Sequence, residues 1–150
     1  MQIIQEKQNV FDASRLKVGI VVARFNQGIT GEILEQALDA LHEYKVKDKN
    51  IKIISVPGSV EIPFALQKLA KTKKYDCLVA LGAVIKGETD HYLYVCKMAQ
   101  EGVLRVMLDY EIPVGFGVLT VNNLEQAKVR VEIGAAASAA ALELANLKLK

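Results

Sequence analysis

Apolar and polar residues follow one another along this chain in blocks, and four of the apolar blocks are predicted to be strands. They occupy residues 17–23, 51–56, 76–85 and 113–119, and each is rich in β-branched side chains with few polar positions. Strands of a sheet with one wet face alternate apolar and polar residues, whereas strands covered on both faces form almost continuous apolar runs. We therefore expect these segments to be the central strands of a parallel sheet.

Segments with helical periodicity lie between the predicted strands. Apolar side chains recur at helical spacing within residues 33–41, 62–69 and 92–108. Asn122 followed by Glu125 predicts a further helix start, and we expect that helix to continue past Gly134 to the C-terminus. Regular alternation of strands and helices, with right-handed crossovers, predicts an α/β fold: a three-layer α/β/α sandwich with a four-stranded parallel core sheet, in a single domain spanning residues 1–150.

The first residues do not join this alternation. Residues 1–4 are predicted to form a short extra strand, and a polar connection over residues 7–15 leads from it to the first core strand. A lone edge strand is poorly stabilised by its own domain. We expect this strand to pair with a neighbouring subunit.

Composition narrows the class of protein. The chain has 150 residues, of which 51% are hydrophobic and 24% charged, as in ordinary globular domains. Its net charge of +2 and the lack of a long basic run argue against binding to nucleic acid. Cys77 and Cys96 have no CxxC or metal-binding spacing, so we expect free thiols in a reducing compartment. No apolar run has membrane-spanning length and the N-terminus lacks a signal-peptide core, so we expect no membrane contact and a cytoplasmic location.

The segment GAVIKGETDHYLYV, residues 82–95, carries the strongest functional signal. An apolar strand runs into Gly87, a polar turn follows, and His91 stands at the start of the next helix. Ligands of open parallel sheets bind beside the carboxyl ends of strands, where helix N-termini attract anions. The positive helix end also favours a neutral imidazole that can accept a proton. A lone histidine is more often structural, and His42, next to Glu43 on a helix face, is interpreted as a surface residue.

Polar residues also follow the other predicted strands, at the same edge of the sheet. Phe25 and Asn26 come after the first strand, where the aromatic ring either closes the core or stacks on a planar ligand. Ser59 lies in a turn between two prolines, and Glu61 is explained equally well by a helix N-terminus or by a binding site. Arg130 is either one charge on a helix face or a bidentate phosphate ligand.

Four motifs, in the order ARFN, VPGSVEIP, GAVIKGETDHYLYV and PVGFGVLTVNNLEQA, resemble the 6,7-dimethyl-8-ribityllumazine synthase family. The similarity extends over about residues 15–130. It implies a flavodoxin-like fold, with active sites between adjacent subunits of a pentamer. It also implies the condensation of 5-amino-6-(D-ribitylamino)uracil with 3,4-dihydroxy-2-butanone 4-phosphate, the penultimate step of riboflavin biosynthesis. This reaction releases inorganic phosphate and requires neither a redox cofactor nor a metal.

The same resemblance implies roles for individual residues. His91 matches the proposed acid/base, which the proton transfers of imine formation, phosphate elimination and ring closure require. The residues that match pyrimidine and ribityl binding are Phe25, Asn26, Ser59, Val60, Glu61, Val84, Ile85, Lys86 and Phe116, the last from the neighbouring subunit. The residues that match phosphate binding are Gly87, Glu88, Thr89 and Arg130.

The chain departs from the common bacterial pattern after Arg130. The sequence RVEIGAAASAAALELANL stands in place of a segment rich in glycine, lysine and asparagine, and it is closer to the archaeal form of the family. No basic residue follows Arg130 before Lys148, which puts a second cationic phosphate ligand from this region in question. The departure also leaves two assemblies open, a pentamer, which we expect, and a sixty-subunit capsid. Two other functions stay open: an archaeal-type riboflavin synthase and a non-catalytic flavin-binding carrier.

Overall fold

The computed structural model describes residues 9–148 and contains a four-stranded parallel sheet with helices on both faces. The strands are β1 (Val18–Ala23), β2 (Ile51–Val56), β3 (Cys77–Ile85) and β4 (Val114–Val121). The helices are α1 (Gln27–Glu43), α2 (Ile62–Lys71), α3 (His91–Asp109), α4 (Leu124–Lys128) and α5 (Ile133–Ala145). The predicted strand over residues 1–4 lies outside the described residues. Within the described part, no helix has both the length and the apolar character needed to cross a bilayer.

The strand order β2-β1-β3-β4 reverses direction between β1 and β3. Helices α1 and α5 contribute to the apolar core on one face of the sheet, and α2 and α3 contribute to the core on the other. The predicted α/β fold is therefore confirmed, and the strand boundaries differ from the predicted ones by at most two residues. The point at which strand order reverses is where open sheets of this kind form ligand sites.

Strand β3 is the most deeply buried element of the sheet. Eight of its nine residues are buried, and successive side chains enter opposite cores: Val79 and Leu81 face α1 and α5, whereas Leu78 and Ala80 face α2 and α3. Because both faces are covered, no polar position interrupts the strand. Cys77 at its start is free and buried, and burial, with a smaller contribution from the charge of Asp76, raises the pKa of its thiol to about 12.

The two strands that pair with β3, β1 and β4, end opposite different residues of β3. Strand β1 pairs with β3 only as far as Val22 opposite Leu81, because the chain leaves the sheet after Ala23. Strand β4 stays paired on the other side as far as Ile85 opposite Val121. Among the described residues, 82–85 therefore pair with a strand on one side only, and the carboxyl end of β3 extends beyond β1 as a ledge.

The prediction of one continuous C-terminal helix from Asn122 is wrong. Asn123 is the N-cap, since its side-chain oxygen accepts a hydrogen bond from the backbone N–H of Gln126 at 2.9 Å. The Gln126 side-chain oxygen in turn accepts a hydrogen bond from the N–H of Asn122 at 2.8 Å, so the two bonds form a capping box in which the second donor is one residue before the N-cap. The helix stops at Lys128, and turn hydrogen bonds span residues 127–134 before α5 begins in a new direction.

Helix α5 approaches α1 closely because its facing residues are small. Gly134 has no room for a side chain, since a Cβ there would overlap the backbone carbonyl of Ile33 in α1. One turn further on, the buried Ser138 hydroxyl donates to the carbonyl oxygen of Ala37 at 3.1 Å. The alanine-rich sequence of α5 thus serves backbone-to-backbone packing against α1.

We expect Gly134→Ala to lower the free energy of unfolding by about 1–3 kcal/mol, because the added methyl group must push two helix backbones apart. The matched control is Gly31→Ala in α1, where a Cβ meets no atom within 4 Å. The control should stabilise the protein by about 0.5–1 kcal/mol through a less flexible unfolded chain. Denaturation of both variants at one protein concentration measures the difference. Equal midpoints would contradict the proposed close contact.

Candidate active site

A cavity of about 540 Å³ opens at the carboxyl edge of the sheet, where β1 and β3 diverge. The junctions that follow β1, β2 and β3 enclose it, together with the first turns of α3. Its walls are formed by Phe25, Gly58, Ser59, Val60, Glu61, Ala83, Val84, Ile85, Gly87, Thr89, His91, Tyr92 and Val95. The ledge of β3 supplies the apolar floor of the cavity, and polar groups from the three junctions surround it.

The junction after β1 places the Phe25 ring at the cavity. The backbone N–H groups of Arg24 and Phe25 donate to the carbonyl oxygens of Val56 and Pro57, at 2.8 and 3.0 Å, so the chain remains tied to the β2 side after the strand ends. The Phe25 ring is 72% exposed. It therefore does not close the core, and its use as a stacking surface for a planar ligand stays a prediction.

The junction after β2 brings a hydroxyl and a carboxylate to the cavity. Ser59 is buried against Gly82 of β3, and a Cβ on Gly82 would lie only 2.6 Å from the Ser59 Oγ atom. Glu61 is exposed and precedes α2, but its carboxylate makes no capping hydrogen bond to that helix. Glu61 thus lies both at the N-terminus of α2 and in the wall of the cavity.

The junction after β3 carries the imidazole. His91 is the first residue of α3, and its backbone N–H points to the Thr89 hydroxyl at 3.4 Å. Asp90 at the N-cap makes no side-chain hydrogen bond to the first turn. The positive end of a 19-residue helix thus faces the cavity beside Gly87 and Thr89. The predicted change from strand to helix before His91 is confirmed, and the use of this helix end as an anion site stays a prediction.

Tyr92 and Val95 line the cavity but were not predicted from the sequence. Tyr92 follows His91 by one residue, and Val95 follows it by about one helical turn. The available signal was that both lie in the first turns of the helix that begins at His91. Burial, and to a lesser extent the neighbouring Cys96, raises the pKa of the Tyr92 phenol. Tyr92 therefore presents a neutral hydroxyl-bearing ring to the cavity at physiological pH.

Three predicted site residues lie at the edge of the cavity without forming its walls. The Asn26 side-chain amide donates to the carbonyl oxygen of Ala83 at 2.9 Å. Lys86 and Glu88 are exposed, and the backbone N–H of Lys86 donates a hydrogen bond to the Val121 carbonyl oxygen at 2.9 Å. The side chains of all three contribute nothing to the lining within this chain.

Phe116 and Arg130 lie apart from the cavity formed by one chain. Phe116 lies opposite Ala80 on the edge strand β4 and is 40% exposed on the face covered by α2 and α3. Arg130 lies in the turn between α4 and α5, where its guanidinium donates to the carbonyl oxygen of Gln126 at 2.9 Å. Neither residue is among the cavity walls.

His42 is a surface residue, as the sequence predicted. Its Nε2 atom lies 2.7 Å from the Asp48 carboxylate, and both side chains are well exposed. Among residues 9–148, no three His, Cys, Asp or Glu side chains are grouped closely enough to hold a metal ion.

The comparison with known families agrees with this architecture. A family model described as 6,7-dimethyl-8-ribityllumazine synthase matches residues 15–149. The chain belongs to the lumazine synthase family. A 6,7-dimethyl-8-ribityllumazine synthase from Kosmotoga olearia is 46% identical over 138 residues, which cover 89% of this chain and 88% of the relative. The resemblance seen in the four motifs is thereby confirmed, and the lumazine synthase match includes α5, where the sequence departs from the common pattern.

We expect Gly82→Ala to destabilise this lumazine synthase fold by about 1–3 kcal/mol, because the new methyl group collides with the Ser59 hydroxyl below the cavity. Replacing Ser59 by alanine in the same chain removes the colliding oxygen, so the double variant should regain part of the lost stability. Thermal denaturation of the two single variants and the double variant measures this coupling. Strictly additive effects would show that the two residues do not pack against each other.

Proposed function

We infer that this chain condenses 5-amino-6-(D-ribitylamino)uracil with 3,4-dihydroxy-2-butanone 4-phosphate to give 6,7-dimethyl-8-ribityllumazine, phosphate and water. The observation that carries the proposal is the convergence of Phe25, Glu61 and His91, from three separate junctions, on one cavity in a chain of the lumazine synthase family. A riboflavin synthase or a flavin carrier is not favoured, because the family model and the named relative both describe lumazine synthases.

The pyrimidine substrate fits the side of the cavity formed by β1, β2 and the ledge of β3. The exposed Phe25 ring offers a stacking face, and Val84 and Ile85 offer an apolar surface to the same planar ring. Ser59 and Glu61 supply a hydroxyl and a carboxylate that suit the hydroxyl groups of a ribityl chain. We propose that these residues bind the aminopyrimidine.

The phosphorylated substrate fits the opposite side, at the start of α3. Gly87 leaves the turn open, since a Cβ there would meet no atom within 4 Å, and Thr89 adds a hydroxyl. A phosphate group placed here faces the positive end of α3, which stabilises negative charge. We propose this turn as the phosphate site of the single chain.

His91 lies at the start of α3, next to the proposed phosphate turn, and is proposed as the group that moves protons. The ring amine of the pyrimidine adds to the ketone and loses water to form an imine. A proton then leaves the neighbouring carbon as phosphate departs, and the resulting enol tautomerises to a ketone. The ribitylamino nitrogen adds to this ketone and closes the second ring with loss of water. An imidazole beside the phosphate turn can accept and return these protons. Holding two reactants in register supplies much of the remaining acceleration.

We propose that the enzyme works as a pentamer in which a neighbouring subunit supplies Phe116 and Arg130. Neither residue reaches the cavity of its own chain. In addition, large apolar side chains are exposed on and beside the face of α2 and α3, namely Phe64, Leu93, Met98, Leu104 and Leu108. Exposed apolar surface of this kind is typical of interfaces between subunits. A sixty-subunit capsid is the alternative assembly. We also propose that the enzyme is located in the cytoplasm.

Two substitutions separate the proposed roles of the charged groups. We expect His91→Ala to lower kcat by about 10²- to 10⁴-fold, because proton transfers lose their catalyst while substrate positioning remains. We expect Arg130→Ala to raise KM for the butanone phosphate by roughly 10- to 100-fold, because a charge-assisted hydrogen bond to phosphate is lost. Steady-state rates of lumazine formation, followed by absorbance, measure both effects. His42→Ala and Arg15→Ala, at exposed positions outside the cavity, are the controls.

The oligomeric state of each variant is measured in parallel by analytical ultracentrifugation. If both variants lose the oligomer and all activity together, the two side chains are structural and the assigned roles are refuted.

A mixing experiment tests whether one site draws on two chains. His91→Ala and Arg130→Ala subunits, each weakly active alone, are unfolded together and refolded as mixed oligomers. Roughly a quarter of the sites in a random ring then combine an intact His91 from one chain with an intact Arg130 from the next. We expect activity to rise towards that fraction of wild type. No gain over the separate variants would mean that both residues serve the same chain's site.

A further inference from the structure

Asn26 adopts a backbone conformation that few residue types tolerate. Its φ and ψ angles of 64° and 47° are left-handed, a region that glycine, asparagine and aspartate enter more readily than most residues. From this position its carbonyl oxygen accepts hydrogen bonds from the N–H groups of Ile29 and Thr30, at 2.9 and 3.0 Å, and so starts α1. The sharp turn also sets the direction in which the preceding Phe25 leaves β1.

The Asn26 side chain makes a contact that the backbone of β1 cannot make. The pairing of β1 with β3 ends at Leu81, so the carbonyl group of Ala83 lies beyond the last residue of that ladder. The Asn26 amide donates to this carbonyl at 2.9 Å and extends the connection by one more hydrogen bond. Ala83 is 2% exposed, so the carbonyl would otherwise face a poorly solvated corner.

We propose that Asn26 is a positioning residue, which fixes the Phe25 ring relative to the ledge of β3, instead of a direct ligand of the substrate. Phe25 is tied to the β2 side by the hydrogen bond from its N–H to Pro57, and Asn26 ties the next residue to the β3 side. The distance between the stacking ring and Ala83–Ile85 then depends on both ties. This inference rests on the proposed function, in which those two surfaces enclose the pyrimidine.

Only asparagine combines the two properties that this position uses. Glycine adopts the left-handed turn but has no side-chain amide donor. Aspartate keeps the shape of the side chain, but its carboxylate oxygen and the Ala83 carbonyl oxygen are both hydrogen-bond acceptors. Asn26→Gly and Asn26→Asp therefore remove the tie to Ala83 by different routes. The control is Lys45→Gly, at another left-handed position (φ 66°) that is exposed and outside the cavity.

We expect both Asn26 variants to raise KM for the aminopyrimidine by about threefold to tenfold, the effect of one lost hydrogen bond. KM for the butanone phosphate should change less than twofold, because the phosphate turn is not touched. Lys45→Gly should leave both constants unchanged. An unchanged KM for the aminopyrimidine in both variants, or an equal rise for both substrates, overturns the positioning role.

A second comparison separates positioning from direct contact. If Asn26 acts through Phe25, adding Asn26→Gly to a Phe25→Ala chain should raise KM no further. Additive effects would show that Asn26 binds the substrate independently, and the proposal would be wrong. The wild-type assay tests the proposed function on its own: without lumazine formation both proposals fall, whereas an active wild type with unaffected variants refutes only the role of Asn26.

Discussion

The unequal length of the two strands beside β3 is the constraint on which the site depends. Strand β1 leaves the sheet after Ala23, while β4 accompanies β3 as far as Ile85. Had β1 continued, its backbone and side chains would fill the space that is now the cavity. The early departure needs a sharp turn, which the left-handed Asn26 makes, and it needs β3 to keep its register without a partner on one side. The deep burial of β3 between two apolar cores provides that rigidity.

The ledge of β3 forms part of a cavity because the three junctions after β1, β2 and β3 close around it. Gly82 allows the turn after β2 to lie directly against the strand, so that Ser59 is buried there and Glu61 follows at the cavity wall. The first turns of α3 complete the enclosure with His91 and Tyr92. Each junction is local in sequence, yet the cavity exists only where the parallel strands bring their carboxyl ends to one edge.

The sequence predicted those features that follow from local pattern. The strands and α1, α2 and α3 were recognisable because buried parallel strands and amphipathic helices leave distinct periodicities. The polar residues after each strand were recognisable because topology places them at one edge. The start of α4 was predicted one residue too early, because the spacing of Asn122 and Glu125 imitates the true capping pair one residue later. The break after Lys128 was not predicted. The contact from Asn26 to Ala83 could not be predicted from the sequence either, because it depends on where β1 ends relative to β3, a strand far away in sequence.

The charges around the cavity explain why the proposed assembly matters to the chemistry. Among residues 9–148, no lysine or arginine lines the cavity, whereas Glu61 does, and the acidic residues Glu88 and Asp90 flank Thr89 in the turn. Helix dipoles stabilise a phosphate only modestly against such negative charge. The break between α4 and α5 places Arg130 at an exposed corner, where the hydrogen bond to Gln126 uses one of its five N–H donors. A guanidinium presented in this way suits a phosphate bound in the cavity of another chain, so the exposed arginine is proposed to supply the positive charge that the cavity walls lack.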